Sequence, residues 1–95
     1  MAIDRVAVAW FRRRDYDWFL KNANRDRLME SSFDQWEKLA ERAIQTLGLQ
    51  GISFDKVVID PKEFAAWLRA NNVQPDQQAR VRYAVEIAQR KHGGK

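Results

Sequence analysis

The junction between residues 52–59 and the residues that follow them constrains the fold of this chain more than any other feature. Residues 52–59 are dense in β-branched side chains, which predicts a strand that is buried on both faces in its C-terminal half. Asp60, Pro61 and Glu63 then take the positions of a helix N-cap, a first helical residue and a reciprocal capping residue. The chain therefore passes directly from a strand into a helix.

A further strand is predicted over residues 4–11, where β-branched and aromatic residues show no helical spacing. Both of its faces are apolar, with Val6, Val8 and Trp10 on one and Ala7, Ala9 and Phe11 on the other. Two strands alone rarely make a stable sheet, which usually needs three or more strands or good cover by helices. Either helices cover this pair of strands, or its edge pairs with another copy of the chain.

Apolar residues that recur every three or four positions predict three long helices, at 33–47, 61–71 and 76–90. The first begins at a capping box, in which Ser32 caps the helix and Gln35 reaches back. It ends at Gly48 or Gly51, because glycine adopts the left-handed conformation at little cost. The last of the three has Pro75 as its first residue.

A short helix is predicted to begin at residues 13–15, since its next residues place Tyr16, Phe19 and Leu20 on one face. Residues 22–31 lack a clear period and predict a loop. The helix over 76–90 carries a broad apolar stripe, made of Ala79, Tyr83 and Ile87 together with Val81, Val85 and Ala88. The resulting order is strand, helix, helix, strand, helix, helix.

This order, in a chain of 95 residues with 45% hydrophobic residues, predicts one α+β domain. We expect a small sheet of two to three strands, covered by three or four helices. The domain spans residues 1–95, with a frayed tail at 91–95.

The residues that chemistry needs are scarce in this chain. It has no cysteine, and its one histidine, His92, lies in a glycine-rich tail, which disfavours a catalytic triad, a thiolate nucleophile and a metal site. The four glycines have no phosphate-binding spacing. We therefore predict no catalytic, cofactor-binding or metal-binding residue and no cofactor. A weaker alternative is a small enzyme that uses Asp15 and Asp17, although stabilisation of a helix start accounts for both acids.

Composition also bears on the setting. The longest uninterrupted apolar run, residues 6–11, is far shorter than the ~20 residues of a membrane span. Asp4 stands where a secretory signal has a basic segment, and the absence of cysteine gives no sign of an oxidising compartment. We therefore expect a cytoplasmic protein without a membrane partner.

The net charge of +4 raises the question of an anionic partner. The basic residues that could contact nucleic acid are Arg12, Arg13, Arg14, Arg25 and Arg27, and Trp10 and Trp18 near them could stack on bases. A second basic strip, with Arg80 and Arg82, is disfavoured because residues two apart on a helix point in very different directions. A solvated or salt-bridged face explains these arginines better than phosphate binding does.

Trp18 is the best candidate for a partner anchor, because it lies off the face that Tyr16, Phe19 and Leu20 share. Packing within the monomer explains it equally well. We therefore expect a non-enzymatic binding or protein-interaction module. Self-association through a strand edge or through the Trp18 region would suit it. Nucleic-acid binding through residues 12–14 is the alternative.

Three segments, at residues 10–17, 33–36 and 58–67, together resemble a family of short uncharacterised bacterial proteins. Members of that family carry a similar strand, an Arg-Arg-x-Asp-Tyr-Asp segment and an Asp-Pro-x-Glu-Phe-x-x-Trp helix start. The resemblance covers about residues 6–90. It implies a bacterial setting and no known activity, so it assigns no functional residue.

Overall fold

The computed structural model describes residues 5–92 of the chain. Its elements, in chain order, are β1 (Arg5–Trp10), a 3₁₀ turn (Arg13–Asp15), α1 (Tyr16–Asn22), α2 (Phe33–Gly48), β2 (Ser53–Val58), α3 (Pro61–Asn71) and α4 (Gln77–His92). The α+β class is confirmed. No helix within residues 5–92 has the length and apolar character needed to cross a membrane.

The two strands form a parallel, two-stranded sheet. Their register runs from Arg5 opposite Ser53 to Trp10 opposite Val58. Beyond β2, the Ile59 N–H donates to the Trp10 carbonyl at 2.9 Å. Parallel strands need a crossover connection, and the segment that contains α1 and α2 supplies it.

Helices approach the two faces of this sheet unequally. Lys56 of β2 binds Glu41 of α2, and the Trp10 ring lies 4.7 Å from the Trp36 ring, so α2 lies on the face of Trp10 and Lys56. Ala7 and Ala9 point to the opposite face, on which α4 packs closely against β1. The small side chains of these two alanines allow that close approach.

The prediction that the end of the second strand is buried on both faces is wrong. Val57 and Ile59 are buried, but Val58 between them is 45% exposed. The reason is that α2 covers its face of the sheet only in part: no residue of α2 is fully buried, although the helix is strongly amphipathic.

The core lies beside the sheet, between α1, α3 and α4. Its largest fully buried side chains are Tyr16, Phe19, Ile59 and Phe64. The Phe19 and Phe64 rings are 5.9 Å apart, and the Phe64 ring meets the Tyr83 ring of α4 edge-on at 5.3 Å. The aromatic side chains of three helices thus join into one cluster.

Local capping sets the helix starts. The Ser32 hydroxyl accepts the Gln35 N–H at 3.2 Å, and the Gln35 side chain accepts from the Ser31 hydroxyl instead of reaching back to Ser32. At α3, Asp60 accepts the Glu63 N–H at 3.1 Å, with Pro61 as the first helical residue. Both helices begin where the sequence predicts.

The predicted role of Pro75 as the first residue of the last helix is wrong. Helix α4 begins at Gln77, and Asp76 caps it by accepting the Ala79 N–H at 3.0 Å. Helix α4 runs through His92, so residues 91 and 92 of the predicted frayed tail at 91–95 are helical. Residues 93–95 of that tail lie outside the described residues, as does residue 4 of the predicted first strand.

Candidate interaction surface

The outer edge of β1 carries unpaired backbone groups. The Trp10 carbonyl points at β2, and the N–H and C=O groups of one strand residue point to the same side. Because the direction alternates along a strand, the backbone groups of Val6 and Val8 also point at β2. Ala7 and Ala9 therefore direct their N–H and C=O groups away from the sheet. No other residue in the range 5–92 bonds to these groups.

An apolar groove runs along this free edge. One part, about 420 Å³, is lined by residues 6–9 together with Leu28 and Val81. A second part, about 550 Å³, is lined by Val6, Ala7, Val81 and Val85. The two parts share Val6, Ala7 and Val81 and so form one surface. We call it the edge groove and define it by Val6, Ala7, Leu28, Val81 and Val85.

The edge groove concentrates the exposed apolar side chains of the molecule. Seven large hydrophobic residues are exposed within the described part of the chain, and four of them line this groove: Val6 (44%), Leu28 (59%), Val81 (45%) and Val85 (38%). Apolar residues exposed singly are ordinary, whereas a contiguous patch marks an interaction surface. The concentration therefore singles out this surface as the candidate site.

The charged side chains along the groove already have partners within the chain. Arg5 binds Asp55 at 2.8 Å. Arg80 donates to the Ala23 carbonyl and lies 3.9 Å from an Asp26 oxygen. An occupant of the groove consequently meets mostly apolar side chains, the side chains of Gln77 and Gln89, and backbone groups, and the charged side chains that line the described groove are paired.

Arg80 forms a salt bridge with Asp26, as one of the two sequence predictions for it has it, but it does not lie on a solvated face. It is only 5% exposed. Burial lowers the pKa of Arg80, and the nearby carboxylates of Asp26 and Asp76 act against that shift. Arg80 of α4 bonds to residues of the loop at 23–31 and so holds this loop, which includes Leu28 of the edge groove, against α4.

The free edge of β2 differs from that of β1, because β2 carries a lysine. By the same alternation, Phe54, Lys56 and Val58 direct their backbone groups away from β1. Lys56 binds Glu41 at 2.8 Å, and its ammonium lies 4.3 Å from the centre of the Trp10 ring. A lysine on an edge strand discourages pairing with another chain. In contrast, β1 has no charged residue between Arg5 and its end at Trp10.

The structure gives each arginine of residues 12–14 an acidic partner. Arg12 lies 3.2 Å from Asp15 and 3.8 Å from Asp60, and Arg14 lies 3.6 Å from Asp15. Arg13 binds Asp34 at 2.7 Å, and this contact raises the pKa of Arg13. The positive charge of this segment is therefore largely balanced by neighbouring carboxylates.

Arg25 and Arg27 have contacts and surroundings that differ from those of residues 12–14. The Arg25 side chain donates to Gln74 at 3.1 Å, in the turn before α4, and Arg27 is exposed with a φ of 58°. Neither shares a partner with residues 12–14. The nucleic-acid hypothesis stays a prediction that these contacts do not favour.

Trp18 is partly buried and packs against the core. Its ring meets the Phe19 ring edge-on at 5.0 Å, and it does not line the edge groove. The hypothesis of a partner anchor at Trp18 stays a prediction.

The two candidate catalytic acids have different surroundings. Asp15 forms ion pairs with Arg12 and Arg14, whereas Asp17 is exposed on α1. Neither lines the edge groove. Among the residues that the structure covers, no three His, Cys, Asp or Glu side chains converge as metal ligands would. The enzyme hypothesis likewise stays a prediction.

Sequence reasoning named a strand edge as a place for self-association, but it identified neither the edge of β1 nor the residues of the edge groove. Two signals pointed towards it: a sheet with only two strands, and an apolar stripe on α4 that is wider than one core contact needs. Leu28 gave no signal, because its exposure depends on the loop at 23–31.

Comparison with protein-family models, curated proteins and solved structures found no match for this chain. The resemblance to a bacterial family therefore stays a prediction.

Proposed function

We propose that this protein is a small, non-enzymatic protein-interaction module that binds its partner along the edge groove. The observation that carries the proposal is the coincidence of two features at one place. The free edge of β1 has unpaired backbone groups, and four of the exposed large apolar side chains surround it.

The chemistry of the groove favours a polypeptide as the occupant. An extended segment that lies beside β1 would form main-chain hydrogen bonds with Ala7 and Ala9, which is the mode of β-strand addition. The apolar side chains of Val81, Val85 and Leu28 would contact alternate side chains of that segment. A nucleic acid would find no unpaired positive charge here.

The setting is part of the same proposal. The absence of cysteine fits a reducing compartment such as the cytoplasm, and the resemblance described above adds a bacterial origin.

Site-specific photo-crosslinking in the protein's own cells tests this function. A photoreactive amino acid replaces Val85 in the groove, and a control chain carries it at Arg42, on the polar, exposed side of α2. We expect protein adducts from position 85 and few from position 42. Adducts of equal yield from both positions, or none from position 85, would contradict the proposal.

A further inference from the structure

We propose that the partner on the edge groove is a second copy of this chain, with the two β1 strands paired antiparallel about a two-fold axis at Val8. The joined sheet has four strands in the order β2, β1, β1, β2. This inference rests on the proposed function and names the occupant of the same surface.

The backbone of β1 is complementary to itself in this register. Ala7 of one copy lies opposite Ala9 of the other, and the two residues exchange both of their hydrogen bonds. The same exchange occurs on the other side of the axis, where Ala9 lies opposite the second copy's Ala7. All the outward N–H and C=O groups of the two alanines are then paired, and Val8 lies opposite Val8 at the axis.

The lack of unpaired charge in the groove favours the same occupant. Because Arg5 and Arg80 already have acidic partners, the groove suits a neutral, apolar and extended segment. Residues 6–10 of β1 are such a segment, since all of them are apolar. Of the two strands within residues 5–92, only β2 has a charged residue in its interior. Self-pairing thus matches neutral surface to neutral surface.

Helix α4 extends the contact beyond the strands. A two-fold axis perpendicular to the sheet keeps both copies of α4 on the same face of the joined sheet. Val81 and Val85 lie on the groove side of α4, so they approach the second copy, and the second copy's residues approach the first in the same way. The interface then has an apolar layer above its backbone hydrogen bonds.

The assembly ends at two copies. The outer edges of the joined sheet belong to β2, and Lys56 on that strand discourages the addition of another strand. A closed dimer rather than a filament follows from this difference between the two edges.

Analytical ultracentrifugation of the full chain from about 1 µM to about 100 µM tests the inference. We expect the mass of the wild-type protein to approach twice 11.2 kDa as the concentration rises. The variant Ala7→Pro loses an outward N–H that β2 does not use, so it keeps the β1–β2 ladder and loses the dimer. Its matched control is Val58→Pro, which removes an outward N–H from β2 and leaves the dimer intact.

If circular dichroism shows that Ala7→Pro does not fold, a second variant tests the dimer. Val81→Glu combined with Val85→Glu changes two exposed side chains, so we expect a folded protein that remains a monomer throughout the range.

Three results would overturn self-pairing: a wild-type monomer at every concentration, a dimer that persists in the folded Ala7→Pro variant, or a dimer that persists in the double glutamate variant. A wild-type monomer that still forms adducts with another protein from position 85 would reject self-pairing and retain the proposed function. A monomer without such adducts would reject both.

Discussion

Arg80 lies inside the molecule, where arginine is rarely found unless it is paired. It connects α4 to the loop that follows α1, because it donates to the Ala23 carbonyl and lies near Asp26. Replacing Arg80 by Met keeps much of the volume but leaves that buried carbonyl without its donor. We expect Arg80→Met to lower the free energy of unfolding by about 2–3 kcal/mol.

Urea denaturation at one fixed protein concentration measures this effect. Arg90→Met is the control, because Arg90 is exposed on the same helix, and its effect should stay within about 0.5 kcal/mol. Equal losses in the two variants would show that the buried contacts of Arg80 contribute little.

Tyr16 gives the protein a pH dependence in the alkaline range. Burial, together with the nearby Glu30 carboxylate, raises the pKa of Tyr16 to about 12 from an ordinary value near 10. The unfolded chain then releases this proton at lower pH than the folded chain does. The contribution of the neutral phenol to stability is therefore complete below about pH 10 and is lost as the pH rises through about 12, by up to about 3 kcal/mol.

The variant Tyr16→Phe isolates this contribution. It loses the hydrogen bond from the Tyr16 hydroxyl to the Glu30 carbonyl, which costs about 1 kcal/mol at neutral pH. Urea unfolding from pH 8 to pH 12 should show the wild type losing its advantage of about 1 kcal/mol as the pH rises and becoming the less stable of the two proteins near pH 12. Curves that stay parallel over this range would mean that the pKa of Tyr16 is not raised.

At the scale of elements, the start of α3 depends on one side chain. Asp60 accepts the Glu63 N–H at the helix N-terminus. We expect Asp60→Ala to lower the free energy of unfolding by about 1 kcal/mol, whereas Asp60→Asn keeps a capping oxygen and loses less. Thermal unfolding of both variants at the same concentration separates capping from charge. Equal losses in Asp60→Asn and Asp60→Ala would assign the stabilisation to the carboxylate charge and its ion pair with Arg12 instead of to capping.

The bounds of α3 could be predicted from the sequence because every signal for them is local. Asp60 and Pro61 define its start, and Asn72, with a φ of 53°, ends it in the left-handed conformation. The start of α4 was predicted wrongly because Pro75 was taken as its first residue, whereas Asp76 is its local cap. A distant residue also takes part, since Asp26 accepts the Gln77 N–H at 2.8 Å. A contact between residues so far apart along the chain leaves no local pattern.

The candidate site was harder to predict than the elements for the same reason. Alternation along β1 showed that both of its faces are apolar, but not which edge stays free. The exposure of Val58 and the burial of Arg80 depend on how far α2 and the loop at 23–31 extend over the sheet. The apolar stripe of α4 was predicted, whereas its division into a buried side at Tyr83 and an exposed side at Val81 follows from tertiary packing.

At the scale of the whole molecule, the two-stranded sheet of residues 5–92 is covered incompletely. Parallel strands are normally buried on both faces within larger sheets, and two strands alone are marginal. Here α4 covers one face well, α2 covers the other in part, and the edge of β1 has no cover within residues 5–92. Pairing of β1 with a second copy supplies the missing strands.

Hydrogen exchange of the β1 amides tests this claim most directly. The Val8 and Trp10 N–H groups bond within the sheet, whereas those of Ala7 and Ala9 are protected only when another strand covers the edge. We expect all four amides to exchange slowly at high protein concentration and those of Ala7 and Ala9 to exchange fast on dilution. Fast exchange of Ala7 and Ala9 at every concentration, beside a protected Val8 and Trp10, would contradict the account.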